Sequence, residues 1–179
     1  MSGCGCGSEQ AERLERRTLQ ILLTVNAIMF VLEFTLGWWA ESTGLIADSL
    51  DMCADALIYG ISLYAVGQGA RAQATAATAS GWLQILLGIG VLVDVVRRLV
   101  LGSEPESLWM MGVGCLALIA NLYCLMLISR HRDAGIHMRA SFIFSANDVL
   151  ANLGVVIAGL LVMMLGSAVP DLIAGLLIS

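Results

Sequence analysis

No lysine occurs among the 179 residues, histidine and proline appear twice each, and charged residues amount to only 13%. A soluble globular domain carries about 25% charged and about 45–50% apolar residues. Here 59% are hydrophobic and the mean hydropathy is +0.87. The scarcity of charge excludes a soluble enzyme domain, because the length is spent on apolar runs of the ~20 residues that cross a bilayer. No enzymatic activity and no resident cofactor are expected. The net charge of −5 gives no support to nucleic-acid binding. It is also a poor guide to partners, because Glu33, Asp48, Asp51, Asp55, Asp94 and Asp148 all fall in apolar stretches. The N-terminus, MSGCGCGSEQAERLERR, lacks an apolar core preceded by basic residues and lacks a cleavage site, so the first apolar helix is expected to insert uncleaved.

What is present is an acidic stripe. The segment from Gly44 to Val66 is apolar, yet places Asp48, Asp51 and Asp55 at i, i+3 and i+7. On a helix these fall within about 60° of one face. An aspartate at a membrane centre costs about 2.5–3.5 kcal/mol on insertion scales, so three on one helix demand a compensating partner. Three on one face point to a cation or proton site, against the plainer reading of helix-to-helix hydrogen bonds with Asp48 acting as a cap.

The rest of the chain reads as helices joined by short turns. Residues 1–18 form a polar N-terminal tail. Its CGC motif, Cys4 and Cys6, could offer two thiolates to a soft metal, although two sulfurs do not complete a tetrahedral site. Residues 8–17 are helix-prone and expected at the membrane surface. Spans are expected at about 19–40, 44–66, 81–98, 108–128 and 138–165, with an incomplete sixth at 170–179. The fold class is therefore an all-α integral membrane protein, a six-helix transmembrane bundle whose sixth helix is truncated in this chain. Asn26 and Glu33 share a face of the first span. Asn26 is expected to bond between helices, and Glu33 either handles protons or forms a structural pair. Gln68 to Ser80 reads as a small, polar loop leading into the third span, Asp94 pairs locally with Arg97 and Arg98, and His131 and His137 are solvated loop residues. Cys53, Cys115 and Cys124 serve as small apolar residues. In the fifth span Asn147 and Asp148 are followed by Asn152 one turn on. With the N-terminus inside, seven arginines lie on inner segments and two, Arg97 and Arg98, outside. That bias predicts a multi-pass protein of the cell (inner or plasma) membrane with a cytoplasmic N-terminus.

In this order the features resemble the cation diffusion facilitator family of six-helix, proton-coupled divalent metal exporters. The matching residues are Asn26, Glu33 and Gly37 in the first span, GLIADSLDMCADAL in the second and HMRASFIFSANDVLANLGVV in the fifth. The resemblance implies a transport site of two residues four apart on the second helix, Asp51 and Asp55, and two on the fifth, Phe144 and Asp148. Phe144 stands where many members carry histidine or aspartate, so Asn147 or water would complete the shell. Asp48, Glu33 and Asn26 would lie behind the ligands and couple protons. A histidine-bearing loop between the second and third helices and the C-terminal cytoplasmic domain of larger members are both missing from these residues, so any homodimer would use the membrane helices.

The resemblance implies efflux of a divalent metal ion, Zn2+ first, with Co2+, Cd2+ and Mn2+ as the other candidates. The ion is cargo rather than cofactor, exchanged for protons across the lipid bilayer. Two other classes are open. A structural or assembly subunit would pair its acids with a partner's basic helices and depend on that partner. A proton-coupled exporter of organic cations would ignore zinc and respond to lipophilic cations.

Overall fold

A computed structural model describes residues 5–65, 70–130 and 136–178. The described residues form six helices and no strand: α1 (Gly5–Trp39), α2 (Thr43–Ala65), α3 (Ala70–Leu101), α4 (Ser107–Ser129), α5 (Ile136–Leu165) and α6 (Val169–Ile178). The architecture is the expected all-α membrane bundle. Among the described residues, Arg16–Trp39, Ser107–Ser129 and Phe142–Leu165 are long and apolar enough to cross a membrane. The surface agrees, since α3 alone leaves Trp82, Ile85, Leu86, Ile89, Val93, Val96, Leu99 and Val100 more than half exposed. In water that much contiguous apolar surface would drive association; in lipid it is solvated.

Two segments differ from the sequence expectation. Residues 70–80 are not a loop but the first turns of α3. The stretch is rich in alanine and contains no proline or glycine between Arg71 and Ser80, so helix propensity carries the helix back through it. Likewise α1 starts at Gly5 and runs through the boundary at 18 and 19 without a break. Its 35 residues would extend about 52 Å at ~1.5 Å per residue, more than a ~30 Å hydrocarbon core, so the polar first turns project beyond the span. Cys6 lies on that helical backbone, whereas Cys4 and His131 fall outside the described residues. His137 lies in the first turn of α5 rather than in the loop before it.

The turns are set by local chemistry. Gly102 (φ 83°) and Gly166 (φ 60°) adopt left-handed conformations just after α3 and α5. Their N–H groups donate to the carbonyls of Arg98 (2.8 Å) and Val162 (2.9 Å), which closes each helix end. Ser42 caps α2, its Oγ accepting from the Leu45 N–H at 3.1 Å.

Helix α2 is the hub and packs against all five others; α1, α4 and α5 surround one side of it, and α3 and α6 the other. Glycines set the closest approaches. A Cβ at Gly37 would stand 2.8 Å from the Leu45 Cβ, and one at Gly175 would stand 2.6 Å from the Thr43 Cγ2, so α1 and α6 both pack backbone-close onto the start of α2. Between α4 and α5, Gly114 meets Val155 and Val156 while Gly159 meets Met110 and Met111, which fixes their antiparallel register. Apolar clusters fill the layers: Leu45, Met110, Val113, Val155 and Ala158 at one end, and Leu19, Leu22, Tyr59, Cys124 and Ile128 at the other. The acids lie between these layers.

Candidate metal centre

The acidic stripe of α2 divides. Asp48 and Asp55 are each 1% exposed and face the α1, α4 and α5 side, whereas Asp51 is only partly buried. Helical geometry explains the split, because Asp51 sits at the edge of the 60° arc that Asp48 and Asp55 otherwise share. Asp51 looks toward a groove of about 800 Å3 between α5 and α6, with Gln84 of α3 and Asn147 of α5 beside it on the lining. The groove continues along α5 past Leu150 and Ile157 to Leu165, and along α6 past Ile173 to Ile178. Gln84 Nε2 donates to Asp51 Oδ1 at 3.4 Å, at the long limit of a hydrogen bond.

Behind this opening lies a sealed polar layer. Glu33 of α1 lies beside Asp48, and Asp55 beside Asp148 of α5, close enough for the charge of each to bear on its neighbour. Asp55 also accepts from the Tyr59 hydroxyl at 3.0 Å. Asn152, fully buried one turn beyond Asp148, donates through Nδ2 to Asp48 Oδ1 (3.3 Å) and to the backbone carbonyl of Asp148 (2.6 Å), so it ties Asp48 of α2 to the α5 backbone. Asn26 does not bond to a neighbouring helix as expected; its Nδ2 donates to the Leu22 carbonyl at 2.9 Å in its own helix. A lone side chain in a helix readily takes the carbonyl one turn back, leaving Asn26 Oδ1 without a donor.

The decisive feature is a shortage of donors. Both oxygens of Glu33, Oδ2 of Asp48 and Oδ2 of Asp148 are buried with no hydrogen-bond partner. Carboxylates are acceptor-only when ionised, so two that face each other repel unless a proton or a cation lies between them. Phe144, one turn before Asp148, is half-buried and supplies no donor atom. Among the described residues no group of three or more His, Cys, Asp and Glu side chains is gathered closely enough to hold a metal ion. Asp55 and Asp148 come together, whereas Asp51 and Asn147 stand at the groove.

The family model for the cation efflux transmembrane domain matches residues 19–179. This chain belongs to the cation efflux family. Among curated relatives, it is 24% identical over 167 residues to the metal cation efflux system protein CzcD of Cupriavidus metallidurans, covering 87% of this chain and 53% of the relative. It is 25% identical over 177 residues to the zinc transporter ZitB of Escherichia coli (91% and 56%). It is 28% identical over 133 residues to the vacuolar zinc transporter ZRC1 of Saccharomyces cerevisiae (65% and 29%). The chain thus spans about half the length, or less, of these relatives. Members of the cation efflux family are transporters rather than enzymes.

Two parts of the polar framework were not legible in the sequence. Asp171, fully buried near the start of α6, accepts from Ser42 Oγ (2.7 Å), the Thr43 N–H (2.7 Å) and the Gly44 N–H (2.9 Å). An acid that receives the free N–H groups of a helix start is favoured there, and it clamps α6 onto α2 just before the acidic stripe. The second part is a cluster at the same end. Arg97 and Arg98 grip Asp94 at 2.9 and 2.6 Å as the spacing predicts, but buried Arg98 also donates to the carbonyl of Glu41. Glu41 holds a left-handed backbone (φ 50°) between α1 and α2. Only the pairing of Ser42-Thr43-Gly44 with a later Pro-Asp could have hinted at the first, and their separation of 127–129 residues hides it.

Proposed function

We propose that this chain is the membrane part of a divalent metal exporter that exchanges its cargo, Zn2+ first, for protons. The observation that carries the reading is the set of buried, donorless carboxylate oxygens on Glu33, Asp48 and Asp148. In low dielectric these groups hold either protons or a cation, and a dication that displaces the protons neutralises the same charge. Metal and protons therefore compete for one layer, which is the requirement for antiport.

The ion is held by Asp55 and Asp148, with Asp51 turning in from the groove and Asn147 or water completing the shell. Asp51 gives up only the 3.4 Å contact with Gln84 to do so. Glu33 and Asp48 lie behind this pair and carry exchanged protons, with Asn26 beside them; Cys4 and Cys6 offer soft thiolates for metal capture before entry. The zinc transport named for two of the relatives supports zinc as cargo, while the all-oxygen ligand set leaves room for Mn2+, Co2+ or Cd2+. The chain lies in the cell membrane as a multi-pass protein with a cytoplasmic N-terminus. Arg97, Arg98, Glu41 and Glu104 then fall at the outer end, and any homodimer forms through membrane helices. An assembly subunit or an exporter of organic cations would not need acids paired across α1, α2 and α5.

The test is zinc and manganese uptake into proteoliposomes with and without an imposed pH gradient. Gradient-driven flux lost in both Asp55→Asn and Asp148→Asn is expected. Folded protein that moves neither ion, with or without the gradient, contradicts the reading.

A further inference from the structure

The α4 helix carries a polar side chain that neither the acidic stripe nor the family motif draws on. Asn121 is 1% exposed, and both its Nδ2 and its Oδ1 are buried without a partner. It interrupts the buried α4 stripe of Val113, Gly114, Ala117, Cys124 and Ile128. A carboxamide kept in the core only to join helices would show at least one hydrogen bond to a neighbour. This one shows none.

Its place in the bundle is fixed twice over. Gly114 abuts Val155 across the antiparallel α4 and α5. Two helical turns beyond Gly114 is Asn121, and two turns before Val155 is Asp148, so both lie in one layer on facing stripes. Independently, Ala117 packs with Met52 of α2 in one apolar layer, and Cys124 packs with Tyr59 in the next. Asn121 falls between Ala117 and Cys124 as Asp55 falls between Met52 and Tyr59. The only layer that satisfies both registers is the one where Asp55 meets Asp148.

We propose that Asn121 is a ligand of the transported divalent cation, its carboxamide oxygen facing the Asp55 and Asp148 carboxylates from α4. This rests on the carboxylate-site reading above. It supplies the neutral oxygen donor that Phe144 withholds, while Asn147 is turned to the groove. The interior donor set is then two carboxylates and one carboxamide from three helices. Carboxylate and carbonyl oxygens suit Mn2+ as well as Zn2+, so cation choice is shared by α4 and is not confined to α2 and α5.

The experiment measures equilibrium binding of Zn2+ and of Mn2+ to the full chain in nanodiscs, with thermal melting of the metal-free protein in parallel. Asn121→Leu is expected to weaken binding of both ions by about tenfold or more. Its metal-free melting temperature should not fall, because the substitution removes an unpaired buried amide. Asn121→Asp, which adds a third carboxylate, is expected to tighten binding. Wild-type affinity in both variants, alongside lost binding in Asp148→Asn, overturns the assignment of Asn121 and leaves the carboxylate site standing. Wild-type affinity in Asp148→Asn as well overturns the carboxylate site itself. If Asn121→Leu fails to fold while Asn121→Asp binds as wild type, Asn121 is structural and the proposal falls.

Discussion

Replacing Asp171 tests whether α6 is clamped to α2 by charge and not only by apolar contact. In the native arrangement its carboxylate receives one hydroxyl and two backbone N–H donors at 2.7–2.9 Å, with no exposure to solvent. In Asp171→Ala the Ser42 hydroxyl can turn to another acceptor, and Ser42 Oγ still caps the Leu45 N–H. The Thr43 and Gly44 N–H groups cannot turn. At ~1.5 kcal/mol for each hydrogen bond to a charged group, their loss amounts to about 3 kcal/mol. For a protein of this size that corresponds to a fall in Tm of roughly 6–12 °C. Asp171→Asn keeps one acceptor oxygen but turns an NH2 toward a donor, and should fall about half as far. The assay is thermal melting of purified protein in detergent, followed by loss of the monodisperse elution peak. A change of only ~1 °C in Asp171→Ala would refute the clamp, because it would mean that water or another group satisfies the start of α2 equally well.

Phe144→His places a nitrogen donor one turn before Asp148, on the same face, and should raise zinc affinity about tenfold in a competition titration with a zinc indicator; unchanged affinity would place Phe144 away from the cation. Gly175→Ala drives a Cβ to 2.6 Å from Thr43 Cγ2, so α6 must shift, with an expected loss of about 1–3 kcal/mol read as a lower Tm. Arg98→Leu removes the donor to both Asp94 and the Glu41 carbonyl. Because Arg97 still pairs with the partly exposed Asp94, the loss should be about 1–2 kcal/mol rather than the 3–5 expected for a fully buried pair, measured in the same melting assay.

Much of the architecture was legible because apolar run length and broken charge patterns report directly on helices in lipid. The i, i+3, i+7 spacing of Asp48, Asp51 and Asp55 marks one face of α2. What it could not give was the partition of that face, because whether Asp51 looks inward or to the groove depends on where α3, α5 and α6 pack. The tie between Asp48 and Asn152 spans 104 residues, and that between Asp171 and Ser42 spans 129. Neither separation leaves a periodic signal. Asn121 is hidden for the opposite reason: one amide in a long apolar run looks like an ordinary intramembrane hydrogen bonder until its lack of partners is seen. At residues 70–80 small polar side chains suggest a turn, whereas the alanine content favours helix once nothing breaks it.

The most direct test of the central claim is the proton count on metal binding. Zinc added to the protein in weakly buffered nanodiscs, with a pH indicator present, should release protons in proportion to bound metal, more strongly at lower pH. Asp148→Asn should abolish both binding and release. Zinc that binds tightly without releasing protons, or that releases the same number from Asp148→Asn, would contradict a site in which metal and protons exchange on the buried carboxylates.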